Sequence, residues 1–169
     1  GQSPRGIVEF FENFRYQEVL SSARRYPYFR AHPLASDRIR NVRMLAEETG
    51  LMDLPPTDVE QRQYEMMRAK LIGFLDTPNK VAREYPASDQ SQPARYARAI
   101  AAMQASDINR ALEQVETLVE EDPENPYYWE LKGQILFESG RAAESVAPHA
   151  RSLELKPGQP LLLINLARS

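Results

Sequence analysis

Pro123 and Pro157 stand 34 residues apart, and Pro126 and Pro160 repeat the interval. A period of this size marks a repeat chain, in which each unit buries its apolar face only by stacking on a neighbour. Proline inside a helix forfeits a backbone hydrogen bond, so paired prolines at a fixed interval act as punctuation between short helices. Glycine is scarce (7) and proline plentiful (13), and the prolines fall between apolar-periodic stretches. No stretch alternates apolar and polar residues for long enough to read as a strand with hairpin turns. The expectation is an all-α fold.

The interval defines units 92–125 and 126–159, with a partial unit at 160–169. The second unit places Trp129, Gly133, Gly140, Leu153 and Pro157 at an aromatic, a small, a turn, an apolar and a stop position. Ser145 and Ser152 hold its other small positions, and Ala99, Ala111 and Pro123 do the same work in the first unit. This pattern resembles the tetratricopeptide repeat, whose antiparallel helices approach closely where facing residues are small. Lys132, Leu118 and His149 depart from it, standing where leucine, a small residue and an aromatic are usual. Helical hairpins stacked as a short right-handed solenoid are expected, preceded by a helical linker. Arrays of this kind bind extended peptides or partner helices along the concave face, lined by the first helix of each pair. Those positions are Tyr96, Ile100 and Met103, then Tyr127, Glu130, Gln134 and Phe137. They lack a Lys/Asn set for a peptide's terminal carboxylate, which argues against a chaperone-tail clamp. Packing of some of them against a neighbouring helix is the open alternative.

Ahead of the repeats, Ile7, Phe10, Phe11 and Phe14 recur at helical spacing behind Pro4. Ser36 is the expected cap of a helix carrying Ile39, Val42 and Leu45 on one face, which stops near Gly50. Thr57 and Glu60 fit a capping box, and Tyr64, Met67, Leu71, Phe74 and Leu75 follow as the expected buried face. Tyr85-Pro86 and the polar run from Ser88 to Gln92 mark a junction, with helix 57–75 expected to pack on the first repeat. The organisation expected is a front segment 1–50, a linker 51–91 and repeats over 92–169.

Composition excludes much chemistry. The chain has 169 residues, no cysteine and two histidines, His32 and His149. Disulfides, thiolate nucleophiles and cysteine-ligated zinc are therefore absent, and a His-rich metal site cannot form. The net charge is −3, distributed as +2 over residues 1–50, zero over 51–104 and −5 over 105–169. An acidic balance argues against nucleic acid as ligand. No apolar run approaches the ~20 residues of a membrane span, and no Gly-x-Ser-x-Gly elbow or glycine-rich phosphate loop is present. Gly1-Gln2-Ser3 is neither an initiator methionine nor a signal segment, and the run from Pro160 opens an apolar segment and stops. The expectation is a portion of a longer protein.

Tyr26-Pro27-Tyr28-Phe29-Arg30-Ala31-His32-Pro33-Leu34 runs into Ser36-Asp37-Arg38-Ile39. This aromatic stretch, His-Pro step and acidic-Arg-Ile opening of a helix resembles the closing segment of the bacterial periplasmic zinc metallopeptidases related to the CAAX prenyl endopeptidases. Tyr127-Tyr128-Trp129-Glu130-Leu131-Lys132-Gly133-Gln134 with Gly140-Arg141 resembles the repeat region of the same family. The resemblance implies that residues 1–50 end a peptidase domain. It also implies a partner in the missing peptidase domain, zinc in the intact protein, and a periplasmic location, with the outer membrane left open as its site. Such enzymes use His-Glu-x-x-His, in which two histidines one turn apart bind zinc and the glutamate activates water. The chain contains no such motif. No catalytic residue, bound metal or peptidase activity is therefore expected of it. His32 reads first as a turn residue before Pro33 that positions the Ser36 helix; the sharper alternative is that in the intact protein it approaches the metal as a regulator. The functional expectation is a non-catalytic region that recruits substrates or assembly partners to a metalloprotease; a free-standing scaffold unrelated to proteolysis is the alternative.

Overall fold

A computed structural model describes residues 3–19 and 35–169, with side chains described over 3–13 and 37–169. Among the described residues the regular elements are all α-helices: α1 (Arg5–Val19), α2 (Ala35–Thr49), α3 (Asp58–Leu75), α4 (Pro78–Glu84), α5 (Gln92–Gln104), α6 (Ile108–Glu121), α7 (Pro126–Glu138), α8 (Ala142–Leu155) and α9 (Pro160–Arg168). The fold is all-α. Two compact units are present, Gly1–Gln61 and Arg62–Ser169, and their boundary falls within the first turns of α3.

In the first unit α1 and α2 pair around Val8, Ile39 and Ala46, all buried. Ile39 and Ala46 are seven residues apart, two turns along one helix face, which leaves the expected Leu45 on the outside. Arg43 donates to Glu12 at 2.5 Å, and the Arg38 guanidinium lies 5.2 Å over the Phe11 ring.

The second unit is a stack of hairpins, α5–α6 and α7–α8, followed by α9. Three helix starts are closed by side chains: Ser91 accepts from the Ala94 amide, Asp107 from Arg110 and Asn125 from Tyr127. Prolines open α4, α5, α7 and α9 within their first two positions, where no amide is needed. Pro148 is the exception to the expected punctuation. It lies inside α8 and forfeits the bond to the Glu144 carbonyl.

The 34-residue interval is visible in the backbone bonding itself. Ser106 donates to Met103 O and Asp107 to Ala102 O; Gly140 donates to Phe137 O and Arg141 to Leu136 O. Both turns need a left-handed residue. Gly140 supplies it at φ 82°, whereas Ser106 holds φ 60° with a side chain attached. The core joins Ala99, Ile100, Ala111, Val115 and Leu118 of the first hairpin to Tyr128, Leu131 and Ile135 of the second.

The start of α3 is a reciprocal capping box, as Thr57-x-x-Glu60 leads one to expect. The Thr57 amide donates to Glu60 at 2.9 Å and the Glu60 amide to Thr57 Oγ1 at 3.2 Å. Its buried face, however, matches the expected one only at Phe74. Tyr64, Met67, Leu71 and Leu75 are exposed, while Ala69 and Gly73 are buried and Met66 and Phe74 pack on the core. Close approach decided this. A Cβ on Gly73 would meet the Ile100 side chain at 3.0 Å, so at this crossing α3 needs a small residue to approach α5.

Candidate functional site

The first helix of each hairpin presents the residues singled out for the concave face, and the two hairpins treat them differently. Tyr96, Ile100 and Met103 of α5 are buried, which removes them from an open groove. They belong to the core because α3 lies over α5. The helix is held there by the Gly73–Ile100 contact and by Gln104 Nε2, which donates to the Phe74 carbonyl at 2.8 Å. Burial pushes the pKa of the Tyr96 hydroxyl well up and that of Tyr128 up to about 12, so both stay neutral phenols.

The equivalent positions of α7 are Glu130, Gln134 and Phe137, each 34 residues further on. With Lys70 and Phe74 of α3 and Leu161, Asn165 and Arg168 of α9, they line a cradle of about 300 Å³. Glu130 is its buried floor. Lys70 Nζ lies 3.0 Å from one carboxylate oxygen, and Asn165 Nδ2 donates to the other at 3.4 Å. Three helices are thus tied to one side chain. Gln134 donates to Glu138 at 2.8 Å, and the Arg168 guanidinium lies 5.1 Å over the Phe137 ring. At the other end of α7 the half-exposed Tyr127 ring stands between Lys70 Nζ at 5.5 Å and Lys156 Nζ at 4.8 Å. Lys156 also donates to the Tyr127 hydroxyl at 2.5 Å.

His149 backs the cradle from α8. Its ring presses on the bare backbone of Gly133, where a Cβ would lie within 2.8 Å of three ring atoms. The Ser169 hydroxyl donates to the Asn165 carbonyl at 3.0 Å, so its oxygen accepts from His149 Nδ1–H at 2.6 Å. This bond pins the end of α9. Nε2 is buried with no hydrogen-bond partner among the described residues, which suits a neutral ring. Burial holds the His149 pKa below the ordinary histidine value; the Glu130 carboxylate opposes that shift and Arg168 reinforces it.

Of the residues singled out from sequence, Glu130, Gln134 and Phe137 are brought together, and Tyr127 flanks them. His32 and the aromatic segment 26–34 lie outside the described residues. Lys70, Phe74, Leu161, Asn165 and Arg168 were not foreseen. A signal existed for two of them, because Leu161 follows Tyr127 and Arg168 follows Gln134 by the same 34 residues.

A family model described as a tetratricopeptide repeat matches residues 96–160, the two hairpins of the second unit. The chain is also similar to the curated protein named beta-barrel assembly-enhancing protease from Escherichia coli K12, Shigella flexneri and Escherichia coli O157:H7. Each is 23% identical over 176 residues, covering 100% of this chain and 35% of the relative. The chain therefore spans about a third of the length of the curated relatives it matches. No solved structure matches it. No helix among the described residues is long and apolar enough to cross a membrane.

Proposed function

We propose that this tetratricopeptide region, a type of fold that serves protein–protein interaction, is the recruiting part of a zinc-dependent metalloprotease. It takes a segment of a substrate or assembly partner into the cradle between α3, α7 and α9. One observation carries the reading: α3 closes the first-helix face of the first repeat, whereas the same face of the second repeat stays open between two helical walls. The metalloprotease half of the reading is supported by the likeness over the whole chain to proteins named as proteases that enhance β-barrel assembly. The closing-segment resemblance of residues 26–39 also supports it. In this reading the chain performs no hydrolysis itself, acts in the periplasm up to the outer membrane, and meets its partners through side chains rather than a cofactor. His32 is assigned the metal-approaching role in the intact protein.

The test is made in the full-length protein, with Gln134→Lys and Phe137→Glu combined. Losing one apolar anchor is worth roughly a tenfold change in affinity. Cleavage of a protein substrate should fall by about that factor at subsaturating concentration, while hydrolysis of a short peptide substrate stays unchanged. Equal rates on the protein substrate, with circular dichroism unaltered, would remove the cradle from recruitment.

A further inference from the structure

The cations of the second hairpin and α9 fall into two groups. Lys132 pairs with Glu116 at 3.0 Å, Arg141 with Glu144 at 2.5 Å, and Arg151 with Glu124 at 2.8 Å and Glu154 at 3.4 Å. All three lie on the opposite face of the hairpin, around Trp129 and Pro148. Lys156 and Arg168 stand at the two ends of the cradle, against Tyr127 and Phe137, with no carboxylate partner among the described residues. The contrast is sharp because residues 105–169 carry −5 overall, so carboxylates are the commoner group in this region. The cradle and its ends hold three cations, Lys70, Lys156 and Arg168, against two carboxylates, Glu130 and Glu138. Glu130 is already matched by Lys70, and Glu138 is held by Gln134.

Resting on the cradle reading above, we propose that the occupant is an extended, acidic peptide segment of a partner protein. It places one carboxylate at Lys156 beside Tyr127, a second at Arg168 beside Phe137, and an apolar residue between them over Phe74 and Leu161. The spacing follows from α7. Tyr127 and Phe137 are ten residues apart, about 15 Å along the helix at 1.5 Å per residue. An extended chain rises ~3.3 Å per residue, so the two carboxylates sit about four to five residues apart. Arg168 lies over the Phe137 ring, and Lys156 lies against Tyr127 and gives one donor to its hydroxyl, so both are held in place with donors left for a carboxylate. Glu138 opposes the second contact by like charge.

Fluorescence anisotropy with the full chain tests this, using a labelled decapeptide with two glutamates five positions apart on a Leu/Ala background. The glutamine and lysine versions of the same peptide serve as comparisons. The glutamate peptide should bind most tightly and weaken as salt is raised. Lys156→Gln and Arg168→Gln should each weaken it about threefold to fivefold, and Glu138→Gln should strengthen it by a similar factor. None of the three should change binding of the glutamine peptide. Equal binding of the glutamate and glutamine peptides would overturn the acidic assignment and leave the cradle reading standing. Absence of binding by all three peptides also overturns it. The cradle reading fails separately, on the proteolysis comparison with the Gln134→Lys, Phe137→Glu protein.

Discussion

Replacing Gly133 by alanine turns one sub-ångström detail into a stability measurement. In an exposed helix the exchange would stabilise by about 1 kcal/mol through propensity alone. At this position the new methyl would overlap three atoms of the His149 ring, which is itself buried and bonded to Ser169. Overpacking of this kind costs about 1–3 kcal/mol. Swinging the ring aside would add about 1 kcal/mol for the lost Nδ1 bond. The net expectation is a loss of about 1–3 kcal/mol, or on the order of 10 °C in Tm for a unit of about a hundred residues. The first repeat shows how to repair it. Ala99 and Val115 occupy the equivalent positions 34 residues earlier, and both are fully buried. Gly133→Ala with His149→Val should therefore recover most of the loss, with a coupling of about 2 kcal/mol between the two sites. Urea unfolding followed at 222 nm measures all four proteins of the cycle. A Gly133→Ala protein as stable as the parent, or a double variant whose loss equals the sum of the singles, would refute the reasoning.

Ser106→Gly should stabilise the chain by about 0.5–1 kcal/mol, because the turn holds φ 60° at a residue with a Cβ; urea midpoints check it, and a lower midpoint would count against strain at this turn. The burial-depressed pKa of His149 makes the unfolded chain take up its proton first as pH falls below ~6.5. Stability should therefore drop between pH 7.5 and 5.5, and His149→Val should reduce that drop; an unchanged pH dependence in the variant would exclude His149 as its source. On the metalloprotease reading proposed above, His32→Ala in the full-length protein should raise the basal proteolytic rate if the imidazole gates the metal, and an unchanged rate removes that role.

Much of the second unit was legible because repetition is a local property. The 34-residue interval set the boundaries at Gln92, Pro126 and Pro160, and the helices α5, α7 and α9 begin at those residues. Thr57 and Glu60 announced the start of α3 through hydrogen bonds that need only four consecutive residues. The buried face of α3 was not legible in the same way. Its large apolar side chains, Tyr64, Met67, Leu71 and Leu75, suggested one face, but Ala69 and Gly73 govern the distance to α5. Hydrophobicity ranks residues by what they gain from burial. It does not say which row lets two backbones approach.

The same limit applied to the concave face. Periodicity pointed to the same register on both first helices, yet Tyr96, Ile100 and Met103 are core while Glu130, Gln134 and Phe137 line a cavity. Polarity carried part of the difference: Ile100 and Met103 stand where α3 covers the face, Glu130 and Gln134 where the cavity opens. The sequence by itself determined the helices, their punctuation and the repeat, because caps, prolines and apolar spacing act over a few residues. Only the tertiary structure decided which first-helix face is covered and which stays open. A cradle is made by residues more than sixty positions apart in the chain, such as Lys70 and Asn165, meeting on the two oxygens of Glu130. That meeting depends on how far each helix can approach its neighbour, a packing quantity that no single segment contains.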